Sequence, residues 1–173
     1  MEYNDRREEL LYILQKINKP VSGASLGESL NVSRQVIVQD IAILRAKGVQ
    51  ILATPQGYIL NSSLQGRPQR IIAVKHDPLC IDEELRAIIS MGGKVLDVIV
   101  EHPLYGEIKA ILMLKSIADL DKYMVKYRAY NAEPLSALTG GIHLHTIEAD
   151  SEECLDLIIE GMAKKGFLLA DEK

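Results

Sequence analysis

The chain has 173 residues, 47% of them apolar and 25% charged, with a formal net charge of −4. That length suits one large domain or two small ones, and no apolar run approaches the roughly 20 residues needed to span a bilayer. Two cysteines, Cys80 and Cys154, without a secretory signal read as reduced thiols and not a disulfide frame, so a cytoplasmic protein is expected.

The charge is unevenly placed. Residues 1–70 carry nine Lys/Arg against six Asp/Glu, and residues 71–173 carry eleven against eighteen. A mildly basic first part and an acidic second part suggest different tasks.

Residues 5–18 read as a helix, with Leu10, Leu14 and Ile17 at i, i+4, i+7 and Leu11 and Ile13 widening the stripe. Lys19-Pro20 ends it. Ser22 is placed to cap a short helix over 23–30, and Ser33 to cap a third over 34–47, which Gly48 terminates. The buried stripe of the third helix is Ile37, Ile41 and Leu44. Two short β segments, Val49–Ala53 and Tyr58–Leu60, flank Thr54-Pro55-Gln56-Gly57, which is turn chemistry. Three helices and a hairpin predict a winged helix-turn-helix over residues 1–62.

Asn61–Pro68 is polar and aperiodic and reads as a linker. Beyond it strands and helices alternate. Strands are predicted over Arg70–His76, Val95–Glu101, Glu107–Met113, Gly141–Ala149 and Phe167–Ala170. Helices are predicted over Ile81–Met91, from Ser116, where Asp119 at the third position makes a capping-box arrangement, and from Ser151. The order βαββαβ followed by αβ predicts an α+β fold, a split βαβ sandwich over residues 69–173 with helices on one face of a largely antiparallel sheet.

The third helix supplies the candidate DNA-reading surface. Opposite its buried stripe lie Arg34, Gln35, Val38, Gln39 and Ala42. Arg can pair with guanine, Gln with adenine, and Val and Ala can touch a thymine methyl. Ser33 opens the helix whose N-terminus attracts phosphate, and Arg45 and Lys47 near its far end suit phosphate contact. A capped, solvated helix start is the plainer reading of Ser33-Arg34-Gln35; the turn before it and the hairpin after it favour operator DNA.

Four histidines occur: His76, His102, His143 and His145. His143 and His145 flank Leu144, so on a strand they share one face, while Leu144 is expected to point into the core. Two imidazoles on one face can reach a common ion. His76 closes a strand, and Asp82-Glu83-Glu84 opens the next helix, so three histidines and one carboxylate could form a site for zinc, nickel, iron or manganese. Periodicity leaves Glu83 and Glu84 both open. Two histidines on a solvated strand and acids serving a helix dipole are the plainer alternative. His102 heads the turn His102-Pro103-Leu104-Tyr105-Gly106, either as a polar turn residue or as part of a ligand pocket. Phosphate-loop, serine-nucleophile and His-Glu-x-x-His patterns are absent, which counts against an enzyme. A metal-dependent hydrolase and a metal-responsive regulator stay as alternatives.

Several stretches resemble the niacin-responsive repressor family, NiaR. They are Pro-Val-Ser-Gly-Ala-Ser-Leu, Ser-Arg-Gln-Val-Ile-Val-Gln-Asp-Ile and Ala-Thr-Pro-Gln-Gly-Tyr in the first part. In the second they are Ala-Val-Lys-His, Asp-Val-Ile-Val-Glu-His-Pro-Leu-Tyr-Gly-Glu-Ile and Gly-Gly-Ile-His-Leu-His-Thr-Ile-Glu-Ala, with Leu104 standing where Val is expected. The resemblance implies a homodimeric repressor of genes for niacin uptake and NAD synthesis, with nicotinic acid as co-repressor. It implies one divalent transition metal per chain, nickel or zinc foremost, at positions matching His76, Glu84, His143 and His145, and so selects Glu84 over Glu83. For the effector carboxylate, Tyr105, Lys75 or backbone amides near Gly106 are the candidate donors, and His102 is a further candidate effector contact.

Overall fold

A computed structural model describes residues 3–61 and 66–169. Residues 62–65 of the expected linker, the ends of both expected domains and Ala170 of the last expected strand lie outside the described residues. The chain divides into two compact units, residues 1–65 and 66–173. Among the described residues no helix is long and apolar enough to cross a membrane.

The first unit contains α1 (Tyr3–Lys16), α2 (Gly23–Ser29) and α3 (Arg34–Ala46), then β1 (Ile51–Thr54) and β2 (Gly57–Leu60) paired antiparallel. Its core holds Leu10 and Leu14 from α1 and Ile37, Ile41 and Leu44 from α3, as read from the sequence, together with Leu26 from α2, which no stripe included, and without Ile17. Both expected caps form, with Ser22 Oγ accepting from the Ser25 N–H and Ser33 Oγ from the Val36 N–H. The α2–α3 turn depends on Gly27. Its carbonyl accepts from the Val32 N–H at 2.8 Å, and a Cβ there would stand 2.6 Å from the Val32 carbonyl oxygen. A contact that close excludes any side chain, so the turn closes tightly against α2. Val21, unassigned by periodicity, bridges Tyr58 through two backbone hydrogen bonds and ties the α1–α2 connection to the hairpin.

The second unit runs β3 (Gln69–Lys75), α4 (Ile81–Ser90), β4 (Lys94–His102), β5 (Gly106–Leu114), α5 (Ile117–Tyr130), β6 (Ile142–Glu148) and α6 (Glu152–Lys164). The strand order is β3-β6-β4-β5, antiparallel at every pairing. β6 therefore separates β3 from β4, and β4 separates β5 from β6: two interlocked split βαβ units, the α+β architecture expected. Phe167 and Leu168 do not form a regular strand. They add one bridge, Leu168 to Val74, with Phe167 accepting from the Lys75 N–H.

One face of the sheet is covered by helices. Ile72, Val74, Val95, Leu114 and Ile147 pack there against Leu85 and Ile88 of α4, Leu120 and Met124 of α5, and Leu155 and Ile158 of α6. Ser116 and Ser151 cap α5 and α6 as expected. The Asp119 carboxylate returns to the N–H of Lys115, one residue before the cap.

Candidate metal centre and nucleic-acid interface

In α3 the core residues Ile37, Ile41 and Leu44 fix the rotation of the helix. Ser33, Arg34, Gln35, Gln39, Ala42 and Arg45 are left exposed and Val38 half-buried. The one acidic residue in the helix, Asp40, is turned inward and pairs with Arg6, Nε to Oδ2 at 2.6 Å and Nη2 to Oδ1 at 3.1 Å. The exposed face therefore has cations and amides without a carboxylate to repel phosphate. The Asp40–Arg6 pair joins residues 34 apart in sequence, and no local pattern announces it.

The second unit gathers a different kind of site. His143 and His145 pair across β3 with Val74 and Ile72, and Ile147 follows two residues on. All of these face the helices. The side facing the helices is thus the histidine side, and Leu144 points to the opposite, half-buried face. The expectation that Leu144 enters the core is corrected. The reason is that the three helices cover the face of β6 that its odd-numbered residues occupy. His143 and His145 are 4% and 3% exposed, which excludes the solvated-strand reading.

Glu84 enters from α4. It is 1% exposed and lies on the buried stripe Ile81-Glu84-Leu85-Ile88, whereas Glu83 is exposed and 3.7 Å from Lys165. A glutamate at a core position of a helical stripe was the signal that could have singled it out. Its Oε2 lies 2.6 Å from His76 Nε2 and 3.6 Å from His143 Nε2, and its Oε1 lies 3.2 Å from His145 Nε2. Oε1 is buried yet has no hydrogen bond of acceptable geometry. Ligand atoms of His76, Glu84 and His143 all fall within 4.8 Å of one another. The rings of His143 and His145 stand at 90°, and those of His76 and His143 at 83°, so three Nε2 atoms converge without stacking. Phe167 closes the side of His76, 5.7 Å between ring centres.

Each imidazole is oriented from behind. Nδ1 of His76 bonds the Asp77 carbonyl at 2.8 Å, Nδ1 of His143 the Gly141 carbonyl at 2.9 Å, and Nδ1 of His145 the Asp97 carbonyl at 2.6 Å. A carbonyl only accepts, so Nδ1 has the hydrogen and Nε2 is the nitrogen left to face Glu84, as a lone pair whenever the ring is neutral. Gly141 also lies against His76: its φ is +92°, and a Cβ would stand 2.4 Å from the His76 carbonyl oxygen. It is there because no side chain fits against the His76 backbone. Gly141 and Asp97 were not foreseen. Their parts are played by backbone atoms, which periodicity does not report.

Electrostatics agree with this layout. Burial alone pushes the Glu84 carboxyl up, but the imidazoles of His143, His145 and His76 outweigh it and hold Glu84 well below the usual carboxylate range. Burial pulls His76 and His145 down, but Glu84 and the carbonyls of Asp77 and Asp97 more than reverse that. A carboxylate oxygen cannot rest 2.6 Å from an imidazole lone pair unless a proton or a cation lies between them. Three Nε2 atoms around the two oxygens of one buried carboxylate, of which Oε1 lacks a hydrogen-bond partner, fit a divalent cation with an N3O shell.

The candidate effector residues lie elsewhere. Lys75 is exposed, and Tyr105 is 73% exposed. His102 caps its own turn: Nδ1 accepts from the N–H groups of Leu104 and Tyr105 at 3.2 and 3.3 Å. A cleft of about 690 Å³ opens beside this turn, lined by Pro103 and Gly106 on one side and by Thr139, Ile142, His143 and Leu144 on the other. His102, Tyr105 and Lys75 do not line it, but His143 belongs to both the cleft and the imidazole cluster.

Residues 6–59 match a helix-turn-helix DNA-binding family, and residues 69–171 match the 3H domain. The chain is 48% identical over 167 residues to a probable transcription repressor NiaR of Thermotoga maritima, covering 96% of this chain and 95% of that protein. It is 41% identical over 170 residues to the transcription repressor NadR of Bacillus subtilis, covering 96% and 94%. Both carry the name of transcription repressors, so the hydrolase alternative is dropped. With a helix-turn-helix in the first unit and a three-histidine cluster in the second, each inside its matching region, the chain belongs to the NiaR family of transcription repressors.

Proposed function

We propose that this repressor binds operator DNA as a homodimer through Ser33, Arg34, Gln35, Val38, Gln39, Ala42 and Arg45, and that it controls genes of niacin uptake and NAD synthesis. One divalent ion, nickel or zinc, is held by His76, Glu84, His143 and His145, and nicotinic acid is the co-repressor. The observation that carries the metal half is the convergence of three Nε2 atoms on one buried carboxylate, His76 and His143 at Oε2 and His145 at Oε1, the last without a hydrogen-bond partner. Nicotinic acid comes from the family resemblance. Its flat ring suits the largely apolar cleft that shares His143, and its carboxylate would seek the backbone amides near Gly106 at the cleft wall.

When bound, the ion supplies a Lewis-acidic position that a neutral pyridine nitrogen can enter as an imidazole would. The chain's own part is orientation and exclusion. The three carbonyls hold the imidazole tautomers, and Phe167 shields His76. Effector binding changes DNA affinity only by its differential affinity for two arrangements of the dimer.

Gel-shift titrations with metal and nicotinate varied independently test this. Nicotinate at saturating metal is expected to tighten the operator complex by about 5–150-fold, the usual span of such coupling. Chelation is expected to remove the response and spare basal binding. DNA affinity that follows metal alone and ignores nicotinate would end the niacin reading in favour of a metal-responsive regulator.

A further inference from the structure

Asp97 stands out in β4. It is 2% exposed, and it interrupts the apolar run Val95-Leu96-Asp97-Val98-Ile99-Val100. The sheet is irregular on both sides of it. Between β4 and β6 the register passes from Val95↔Ile147 to Ile99↔Leu144, four steps on one strand against three on the other. Between β4 and β5 it passes from Val95↔Leu114 to Asp97↔Ile111, two steps against three. Each neighbour pairing thus contains a β-bulge. The second includes Met113 at φ +53°, a left-handed conformation that costs a residue other than glycine roughly 1 kcal/mol or more. Two bulges and a strained methionine beside one buried aspartate need a reason.

The reason lies in what Asp97 does across the gap. The bulge removes its carbonyl from the ladder, and that carbonyl accepts from His145 Nδ1 at 2.6 Å. The vacated ladder donor, the Thr146 N–H, is taken by the Asp97 side chain, Oδ1 at 2.9 Å. Oδ2 is held by Lys109 Nζ at 2.7 Å. One residue therefore grips the imidazole of His145 by its backbone and the following peptide by its carboxylate, while Lys109 balances the buried charge. The other two orienting carbonyls are local, one and two residues from their histidines, but this one is 48 residues away in sequence.

We infer that Asp97 is a positioning residue for His145: its carboxylate, clamped by Lys109 and by the Thr146 N–H, holds the bulge that aims the Asp97 carbonyl at Nδ1 and so leaves Nε2 for the ion. The metal part of this rests on the proposed centre, but the tautomer part does not. In metal-free protein, at a pH high enough that the imidazoles are neutral, nitrogen NMR is expected to show the Nδ1–H tautomer at both His143 and His145. Asp97→Ala is expected to move His145 toward the Nε2–H form while His143, whose acceptor is Gly141, keeps its own. Metal affinity, read by chelator competition, is expected to fall about 10–100-fold, as when the group behind a ligating histidine is lost. Asp97→Asn keeps an acceptor for the Thr146 N–H and is expected to retain the tautomer and most of the affinity. If Asp97→Ala does not unfold cooperatively, Asp97→Ser takes its place. An Nε2–H tautomer at His145 in the wild type overturns the inference. So does an Asp97→Ala or Asp97→Ser protein that folds, keeps the tautomer and keeps its affinity. Wild-type protein that takes up no metal while Asp97→Ala still shifts the His145 tautomer alone would sink the metal centre and leave the role of Asp97 standing.

Discussion

The two units build their functional surfaces in opposite ways. In the first, the proposed DNA-reading residues come from one helix, are mostly exposed, and are what remains after Ile37, Ile41 and Leu44 are buried. In the second, the four proposed ligands come from α4, β6 and the end of β3, and are buried among core side chains. An exposed site on one element can change without disturbing the fold. A buried site assembled from three elements is part of the fold, so its chemistry and its stability cannot be varied separately.

The largest expected effect tests that inseparability. His145→Ala should abolish high-affinity metal uptake, and in metal-free protein should cost about 3 kcal/mol, because it removes one of the three imidazoles that keep the buried Glu84 carboxylate ionised. Elemental analysis and urea unfolding of the same preparations check both halves. Loss of metal with unchanged stability would show that the cluster is not structurally integrated, and the contrast between the units would fail.

A smaller effect is expected in the first unit, and only on binding. Arg34→Ala and Gln39→Ala should each weaken the operator complex by about 1–3 kcal/mol and relax base preference locally. Neither should move the unfolding midpoint by more than about 0.5 kcal/mol equivalent, since both side chains are exposed. Competition gel shifts with variant operators, alongside thermal melts, provide the measurement. Intact selectivity would mean that another surface reads the DNA.

The smallest effect sharpens the boundary of the buried site. His102 caps its own turn through two N–H groups. His102→Ala should cost about 1 kcal/mol of stability, the usual loss for a local side-chain–backbone bond, and leave metal content at the wild-type level. A loss of metal would place His102 in the centre and not merely at the hairpin turn near the cleft.

Much of the molecule was legible in the sequence for one physical reason: helix and strand periods report which side of an element is dry. That rule located α1, α3, α4 and α6 and their core stripes, and the serine caps at 22, 33, 116 and 151 marked four helix starts. It put His143 and His145 on one face and left the proposed reading surface of α3 exposed. The sequence alone could not say which face of β6 was the core. Alternation is symmetric, and Leu144 is as apolar as its flanking histidines are polar, so the histidine side was taken for the wet one.

Only the tertiary structure decided that, because the face of a strand is chosen by the layer that covers it. The same holds for the residues periodicity passed over. Glu84 over Glu83 was implied by resemblance and not by spacing, and its burial on the inner face of α4 gives it a physical basis. Gly141 and Asp97 act through carbonyl oxygens that every residue has, and Asp40 through a pairing with Arg6 across the unit. A sequence specifies side-chain types and their period along one element. The convergence of Nε2 atoms on a single carboxylate depends on strand order, a bulge and a glycine beside His76, which exist only once distant segments have packed.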